Sequence, residues 1–382
     1  MTRQVFDVKL RVIYSYGRAP LAVKSSMLRK SGITFDDRKK EILGAIVRSH
    51  IATGDPVGSL GLAKQSKERL SSATIRNLCA ELEESGYLTH PHTSAGRVPT
   101  DQGYRYYVDN LIGPARLSRM TTVTIKQRLL DEESLSSPQR LMERTSKLLS
   151  QLSGNVGIVV PPSISQEVLH TIEFVKLSDQ RILVITVSRA GRVQDQVIRV
   201  EAEFSQDELN STARFLIESF NGWTLAAIRD EMVRRLTEER AYYDKLLKNA
   251  ILLCSQSIQE GDRPDVFVEG ASNIIAKPDF SNSERMKAVL KMLEEKDRIV
   301  KLLNECVGTS MDATVAVRIG SENSATDLHG CAVIATSCFY SAGKAVGRIG
   351  VVGPTRIEYE RLIGLVDYIA RVFGRVLDHG AF

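Results

Sequence analysis

Cysteine, tryptophan and long apolar runs are all scarce in this chain of 382 residues, which holds five cysteines and one tryptophan. The cysteines form no CxxC pair and lie apart, at Cys79, Cys254, Cys306, Cys331 and Cys338. This usage excludes a disulfide scaffold and indicates reduced core thiols in a cytoplasmic protein. No apolar run approaches the roughly 18–20 residues that cross a bilayer, so the sequence excludes an integral membrane protein. The length is enough for several domains.

Motifs of catalysis are also missing. The sequence contains no HExxH, G-x-S-x-G, P-loop or G-x-G-x-x-G, so we expect neither an enzyme nor a bound cofactor. Gly347, Gly350 and Gly353 have the wrong spacing to cradle a phosphate, and close backbone packing in a strand explains them better. His90 and His92 could form half of a metal site, but they have no Cys, Asp or Glu nearby in sequence. Their proline-flanked position favours structural packing or DNA contact instead.

The positive charge is concentrated at the N-terminus. The net charge is +5, yet residues 1–32 hold seven basic side chains against one acidic, while the other 350 hold 44 basic and 45 acidic. A transit peptide would fit this composition, whereas a secretory signal would need a continuous apolar region that the segment lacks. We expect 1–32 to be a basic, disordered extension without a role. A case for nucleic-acid binding must therefore come from local patterning.

Residues 33–112 follow the element order of a winged helix-turn-helix domain. A capping box over 34–37 predicts a first amphipathic helix, which Gly54 ends, and a short second helix follows. A third helix, predicted over 72–85, begins after candidate N-cap serines and is stopped by a glycine. Two extended pieces around a Ser-Ala-Gly tip, over 87–99, predict a small hairpin. Helix, helix, turn, helix and hairpin is the order of that domain.

The third helix presents polar groups outward once its apolar residues face the core. These outward groups are Ser72, Thr74, Arg76 and Asn77, which are the kinds of side chain that pair with base edges and phosphates. Four cations oppose one acid over 64–76, and they are Lys64, Lys67, Arg69 and Arg76. The same pattern also fits an ordinary solvated helix, and the residues alone leave both interpretations open.

Several longer segments carry a family resemblance. They are Val57-Gly-Ser59, Leu70-Ser-Ser-Ala-Thr-Ile-Arg-Asn77, Leu82-Glu-x-x-Gly-Tyr-Leu88, Pro91-His-Thr-Ser-Ala-Gly-Arg97-x-Pro-Thr-Asp-x-Gly-Tyr-Arg105, Val268-Glu-Gly-x-Ser-Asn273, Leu293-Glu-Glu-Lys296 and Gly350-Val-Val-Gly-Pro-Thr355. Over about residues 33–380 the chain resembles the HrcA-type heat-inducible transcription repressors. The segment from Pro91 to Arg97 is long and nearly gapless, which makes the resemblance specific. At Leu60 and Gly61 the chain departs from the polar pair usual in that family, so a phosphate contact expected there is in doubt.

The resemblance implies a dimeric repressor that binds double-stranded operator DNA and is released on heat stress. The operator would be an inverted repeat of the CIRCE type upstream of chaperone operons, and a chaperonin would keep the repressor active. Carried over, the third helix becomes the recognition helix, with Ser72, Thr74, Arg76 and Asn77 in the major groove. Lys64, Lys67 and Arg69 would lie at the DNA backbone. The hairpin would contact phosphate or the minor groove through His90, His92, Thr93 and Arg97.

Beyond the first domain, the apolar period alternates between strand-like and helical segments. Together with the resemblance, this pattern predicts an α+β multidomain protein, in which a GAF-like α+β domain with a helical dimerisation insert follows the winged helix-turn-helix. We expect a helical linker over 113–153, the GAF-like domain over 154–204 and 262–382, and the insert over 205–261. Glycine-proline and serine-proline pairs mark the boundaries of the linker.

Two rival functions remain open from the sequence. A ligand-responsive regulator would use the same DNA-binding head, with the GAF-like domain sensing a small molecule, although no convergent polar cluster marks such a site. A structural or RNA-binding protein is the more distant rival, and it lacks the aromatic stacking motifs of RNA modules.

Overall fold

The structure of the chain is a computed structural model. It describes residues 23–24, 36–65, 70–91, 96–131, 134–161, 167–177, 180–189, 191–200, 202–236, 249–250, 252–253, 265–281, 283–308, 315–340 and 345–378. Within these segments helices accompany mainly antiparallel sheets, which gives an α+β protein of more than one domain. Apart from Val23–Lys24, the basic N-terminal extension lies outside the described residues.

The first part of the fold, which we call the head, spans 36–112. After the two-residue strand β1 (Val23–Lys24), its elements are α1 (Asp37–Thr53), α2 (Ser59–Gln65), α3 (Ser72–Glu84), β2 (Leu88–Thr89), β3 (Val98–Pro99) and α4 (Asp101–Asn110). Gly54 ends α1 in the left-handed conformation, with φ of 80°. The N-cap of α1 is Asp36, so the helix begins later than the capping box predicted. The Asp36 side chain makes no capping hydrogen bond. Thr34 of that box lies outside the described residues.

The rest of the fold, which we call the body, begins with two helices, α5 (Arg119–Leu129) and α6 (Pro138–Ser153). Ser137 caps α6 by accepting a hydrogen bond from the Arg140 N–H at 3.2 Å, and Pro138 opens the helix, as predicted. The later elements, in chain order, are β4 (Val156–Val160), β5 (Leu169–Lys176), β6 (Arg181–Ser188), β7 (Val193–Arg199), α7 (Gln206–Ser219), α8 (Leu225–Leu236), β8 (Phe267–Glu269), α9 (Ala271–Ile275), α10 (Ser283–Glu294), α11 (Lys296–Val307), β9 (Val315–Ile319), β10 (Cys331–Tyr340), β11 (Ala345–Pro354) and α12 (Tyr359–Asp378).

The main sheet of the body forms the middle of three layers. Its described strands have the order β1-β9-β10-β11-β4-β8, and every neighbouring pair is antiparallel except β1 with β9. Ile334 and Val351 face α6 and α12 on one side, and this core continues into the head. Val333 and Ala335 face α10 and α11 on the other side. Because side chains alternate between the two faces along each strand, one sheet contributes residues to two separate cores.

The described residues between β4 and β8 fold around a core of their own, and we call this part of the chain, 161–266, the insert. Its strands β5, β6 and β7 form a separate antiparallel sheet. One face of this sheet packs against α7 and α8. Ser205 and Glu208 make the predicted capping box at the start of α7. Within 154–204, β4 lies in the main sheet, whereas β5 to β7 pair only with one another among the described residues. Strand alternation in the sequence does not determine which strands pair.

Two further details of the body were tested by the structure. The apolar stripe after Ser283 predicted one helix, whereas α10 ends at Glu294 and Glu295 adopts an extended conformation before α11 begins. The glycine spacing in β11 reflects close packing, as expected. A Cβ on Gly350 would lie 2.9 Å from Leu303 Cδ2 and 3.0 Å from the Ile334 carbonyl oxygen.

The described cysteines are free and buried, as the sequence predicted, while Cys254 lies outside the described residues. Burial raises the pKa of Cys306, Cys331 and Cys338 to about 12, so these thiols stay protonated near neutral pH. Among the described helices, none is long and apolar enough to span a membrane.

Candidate nucleic-acid interface

Helix α3 owes its orientation to a narrow apolar face. Ile75, Cys79 and Leu82 are buried at helical spacing and turn one side of α3 toward α1. Ser71 is the N-cap, and its hydroxyl accepts a hydrogen bond from the Thr74 N–H at 3.1 Å. The side chains on the opposite side of α3 are therefore presented to solvent at its first turns.

The side chains that are expected to contact DNA from α3 differ in their exposure. Arg76 and Asn77 are exposed, while Ser72 and Thr74 are half-buried. Arg76 Nε donates a hydrogen bond to Ser59 Oγ over 3.3 Å, and Ser59 Oγ is 3.3 Å from Ser72 Oγ. The start of α2 therefore holds Arg76 beside the first turn of α3, so a guanidinium, an amide and two hydroxyls are available within one surface.

Five of the expected DNA contacts cannot be placed. Lys67, Arg69, His92 and Thr93 lie outside the described residues, and Lys64 is described only by its backbone in α2. Among the described residues, no three His, Cys, Asp or Glu side chains form a group that could hold a metal ion.

The hairpin formed by β2 and β3 is tied to α3 through Glu83. Glu83 Oε1 contacts His90 Nδ1, and Glu83 Oε2 lies 2.8 Å from Arg97 Nε in an ion pair without hydrogen-bond geometry. His90 and Arg97, both expected at phosphate, therefore share one carboxylate on the rear half of α3. The sequence did not indicate this contact, because Glu83 is one of three acids that follow the expected DNA-binding positions of α3 and nothing in the local pattern distinguishes it from the other two.

The backbone fixes the same hairpin to the loop before α2. The amide N–H and carbonyl oxygen of Val57 and Arg97 exchange two hydrogen bonds, each 2.9 Å long. A Cβ on Gly96 would come within 2.8 Å of the Pro56 carbonyl carbon, so this approach requires glycine. Arg97 is thus held at a fixed position next to both α2 and α3.

The acids of α3 are separated from its exposed leading end. Glu81 forms an ion pair of 2.6 Å with Lys39 of α1, and Glu83 pairs with the hairpin. Burial raises the pKa of Cys79, beneath the same surface, to about 11, so this thiol adds no charge at neutral pH. Intramolecular cations partly compensate the negative charge at the end of α3, and Arg76 keeps its positive charge at the beginning.

Comparison with known proteins assigns the chain to a class and then to a family. A family model described as the HrcA protein C-terminal domain matches residues 139–363. A heat-inducible transcription repressor HrcA of Geobacter sulfurreducens is 39% identical over 342 residues, covering 90% of this chain and 98% of its own. The corresponding repressor of Thermodesulfovibrio yellowstonii is 35% identical over 350 residues, with the same coverage of 90% and 98%.

A crystal structure of a hypothetical protein has the same fold, with a TM-score of 0.60 at 22% identity, covering 91% of this chain and all of the other. The sequence matches place the chain among transcriptional repressors, not enzymes. It belongs to the HrcA family of heat-inducible transcription repressors.

Glu83 provides a direct test of how the hairpin is held. We expect Glu83→Ala to loosen the hairpin, because the substitution removes the contacts of one carboxylate with both His90 and Arg97, and a partly exposed ion pair contributes up to about 1 kcal/mol. Amide hydrogen exchange at Val57 and Arg97 should accelerate by up to about tenfold, since about 1.4 kcal/mol corresponds to a factor of ten. Exchange is measured by NMR on the full chain.

The matched control is Glu84→Ala, which removes an exposed acid one position later in α3. Its effect on hairpin exchange should be small. Equal acceleration in both variants would mean that Glu83 does not hold the hairpin.

Proposed function

We propose that the chain represses chaperone operons by binding, as a homodimer, an inverted-repeat operator of the CIRCE type in the cytoplasm, and that heat stress releases it. The observation that carries the DNA-binding part is the exposed leading end of α3, with Arg76 and Asn77 in solvent. In this proposal the head is a winged helix-turn-helix domain, α3 is the recognition helix and the β2–β3 hairpin is the wing. The order of the described elements supports it.

The proposed contacts divide into base reading and backbone contact. Arg76 and Asn77, flanked by Ser72 and Thr74, would read base edges in the major groove, where forked and bidentate donors discriminate bases. Lys64, Lys67 and Arg69 would contact phosphates just before α3. The wing would add His90, His92, Thr93 and Arg97. Because Glu83 already engages both His90 and Arg97, the wing would contribute less charge than its sequence suggests.

The proposed dimerisation element is the insert, which extends the helical segment 205–261 expected from the sequence by the sheet β5 to β7. This sheet supplies the proposed surface. In β6 the segment 182–187 is nearly continuously apolar, a pattern typical of a strand buried on both faces. Among the described residues, α7 and α8 cover one face of this sheet. The other face carries the exposed acids Glu173 and Asp195 on either side of Ile185. Its apolar residues, which we call the insert face, are Val175, Leu183, Ile185, Val187, Val193 and Val197. Val193 is 66% exposed and Val197 is 49% exposed.

Strand register assembles the insert face into one patch. Leu183 lies between Val175 and Val197, and Val187 lies opposite Val193. Exposed contiguous apolar patches of this kind mark protein–protein contacts. A second copy of the chain would cover the patch in a two-fold arrangement, and the symmetric dimer would then match an inverted repeat.

The body outside the insert would be the GAF-like domain, with 113–153 as the helical linker that leads to it. Its main sheet and flanking helices are an α+β architecture compatible with that assignment. The chaperonin is proposed as the partner that keeps the repressor active until stress withdraws it. That part of the proposal is supported by the family alone. Footprinting at two temperatures, with and without chaperonin, addresses release and its cause together.

The division of roles along α3 can be measured by substitution. Arg76→Ala and Asn77→Ala should each cost about 1–3 kcal/mol on the operator and relax sequence preference, because base contacts are lost. Lys67→Ala should weaken binding evenly across sequences and lower the salt dependence by about one ion, because a phosphate contact is lost. Binding is measured by competition between operator and unrelated duplexes over a salt series. Equal, sequence-independent losses in all three variants would contradict this division.

The insert face can be tested through the oligomeric state. Ile185→Asp places a carboxylate at the centre of the patch, between the exposed acids Glu173 and Asp195. Because a two-fold interface contains this position of both subunits, the substitution buries two added charges. We expect this variant to sediment as a monomer where the wild type sediments as a dimer. The control is Met120→Asp, which makes the same change at a side chain that is 81% exposed on α5. A dimeric Ile185→Asp variant would exclude the insert face.

A second candidate function, a ligand-responsive regulator, is favoured by one observation in the main sheet. Ser337 and Arg348 are cross-strand partners on the face toward α11. Ser337 Oγ and Arg348 Nε are buried, and neither has a hydrogen-bond partner within the described residues. Burial also lowers the pKa of Arg348. A small anionic molecule with acceptor oxygens would satisfy both groups.

This alternative predicts a specific stabilisation. Small carboxylates and phosphates should raise the melting temperature of the wild type, because a ligand bound only to the folded state stabilises it. Arg348→Met should abolish that rise, and the effective anion should also weaken operator binding. Thermal-shift screening followed by operator titration makes both measurements. No rise with any anion would remove the ligand-responsive function and leave the first proposal intact.

A further inference from the structure

Arg105 of α4 connects the head to the body. Its Nε donates a hydrogen bond to Glu322 Oε1 at 2.7 Å, and its Nη2 contacts both Glu322 Oε2 and the Val317 carbonyl oxygen, the latter at 2.6 Å. Only 14% of the Arg105 side chain is exposed. Glu322 is itself held, because its Oε2 accepts the Ile319 N–H at 2.9 Å. A planar guanidinium bound by both carboxylate oxygens has a defined orientation as well as a defined position.

Arg356 makes a second connection, from the loop between β11 and α12. It binds both carboxylate oxygens of Asp279, through Nε at 3.1 Å and Nη2 at 3.0 Å. Its remaining nitrogen, Nη1, donates to the Ile51 carbonyl oxygen at 3.2 Å, in the last turn of α1. Asp279 therefore orients Arg356 within the body, and Arg356 joins the body to the head through the Ile51 carbonyl oxygen.

Between these two connections the head and body pack directly. The rings of Tyr104 and Tyr359 lie 5.9 Å apart, and both side chains are almost completely buried. Burial, with a smaller contribution from Arg356, lowers the pKa of His50, and His50 Nδ1 shares a hydrogen bond of 2.6 Å with the Tyr104 hydroxyl. Asp101 accepts the Ser321 N–H at 2.8 Å nearby. The junction is therefore fixed at several points along α4 and at the end of α1.

None of these junction residues lies on α3, where Arg76 and Asn77 remain exposed. The body therefore sets the direction of α3 without covering it. We propose that the Arg105–Glu322 and Arg356–Asp279 pairs, which we call the head clasps, determine the separation and angle of the two recognition helices in the dimer. They thereby fix the spacing of operator half-sites that the repressor accepts. This inference rests on the proposed function as a dimeric operator-binding repressor.

The chain between head and body explains why clasps are needed. Residues 111–118 contain no helix or strand, and when extended they could span roughly 26 Å at about 3.3 Å per residue. A head joined only by such a segment could reach half-sites at several spacings. A head that packs against the body around Tyr104 and Tyr359, and that the clasp residues orient, presents α3 in one direction, so two heads engage together only when the half-sites match. Simultaneous engagement contributes roughly 10²–10⁴-fold to affinity, and mismatched geometry removes it.

The experiment compares operator spacings, with the full chain as wild type and as the Glu322→Gln/Asp279→Asn double variant. Both substitutions keep the side-chain shape and remove the charge. The probes are the footprinted inverted repeat, the same duplex with about half a helical turn inserted, and a single half-site. For the wild type we expect the insertion to weaken binding by roughly 100-fold or more. For the double variant we expect a loss of about tenfold or less, because the packed head, without the two oriented ion pairs, can turn on the body and follow its half-site.

The control removes an ion pair that lies wholly within the body. Arg298 donates to Asp327 at 2.7 Å, so Asp327→Asn should leave the wild-type spacing penalty unchanged. Binding to the single half-site should be equal in all variants, since α3 is intact. If the double variant does not fold, Arg105→Lys replaces it in the same comparison of operator spacings. Lysine keeps the positive charge but cannot bind both carboxylate oxygens of Glu322.

The outcomes distinguish the role of the head clasps from the proposed function. An unchanged spacing penalty in a folded clasp variant overturns the clasp inference and leaves the proposed function standing. A wild type that does not distinguish the inverted repeat from unrelated DNA overturns the proposed function itself. A reduced penalty with unchanged half-site binding supports the clasps as positioning residues.

Discussion

The whole arrangement depends on one continuous apolar core that runs from the head into the body. Residues of α1, α3 and α4 belong to the same buried cluster as α6, α12 and one face of the main sheet. Tyr104 and Tyr359 meet inside it, and burial raises the pKa of Tyr359 well above its ordinary value. Because residues at this interface are buried, the polar contacts around it act in a medium of low dielectric constant, where their strength depends more on their geometry.

Charge is distributed so that the head has one face for the body and another for solvent. Asp101 and Arg105 are directed at the turn that follows β9, whereas Arg76 stays on the open face of α3. Lys39 and the hairpin compensate the acids at the end of α3. Among the described residues, Arg76 is thereby left as an exposed cation at the leading end of α3. The local pattern, not the net charge of the chain, supports nucleic-acid binding.

Local features were predictable from the sequence, and long-range partnerships were not. The caps Ser71 and Ser137 and the inner face of α3 depend on residues within a few positions of one another, so short-range chemistry was enough. Arg105 and Glu322 are 217 positions apart, and no local pattern connects them. The separate sheet of the insert was missed for the same kind of reason, since alternation identifies a strand without naming its neighbour. The break at Glu295 was hidden because the apolar stripe continues across it.

The placement of the insert has an evolutionary consequence. β4 and β8 are antiparallel neighbours, and Val159 pairs with Phe267, so the chain leaves the main sheet and returns to it at one edge. A short turn could join these strands without disturbing either core of the sheet. Lineages could therefore exchange or remodel this module as a unit while both cores of the main sheet and the head stay the same.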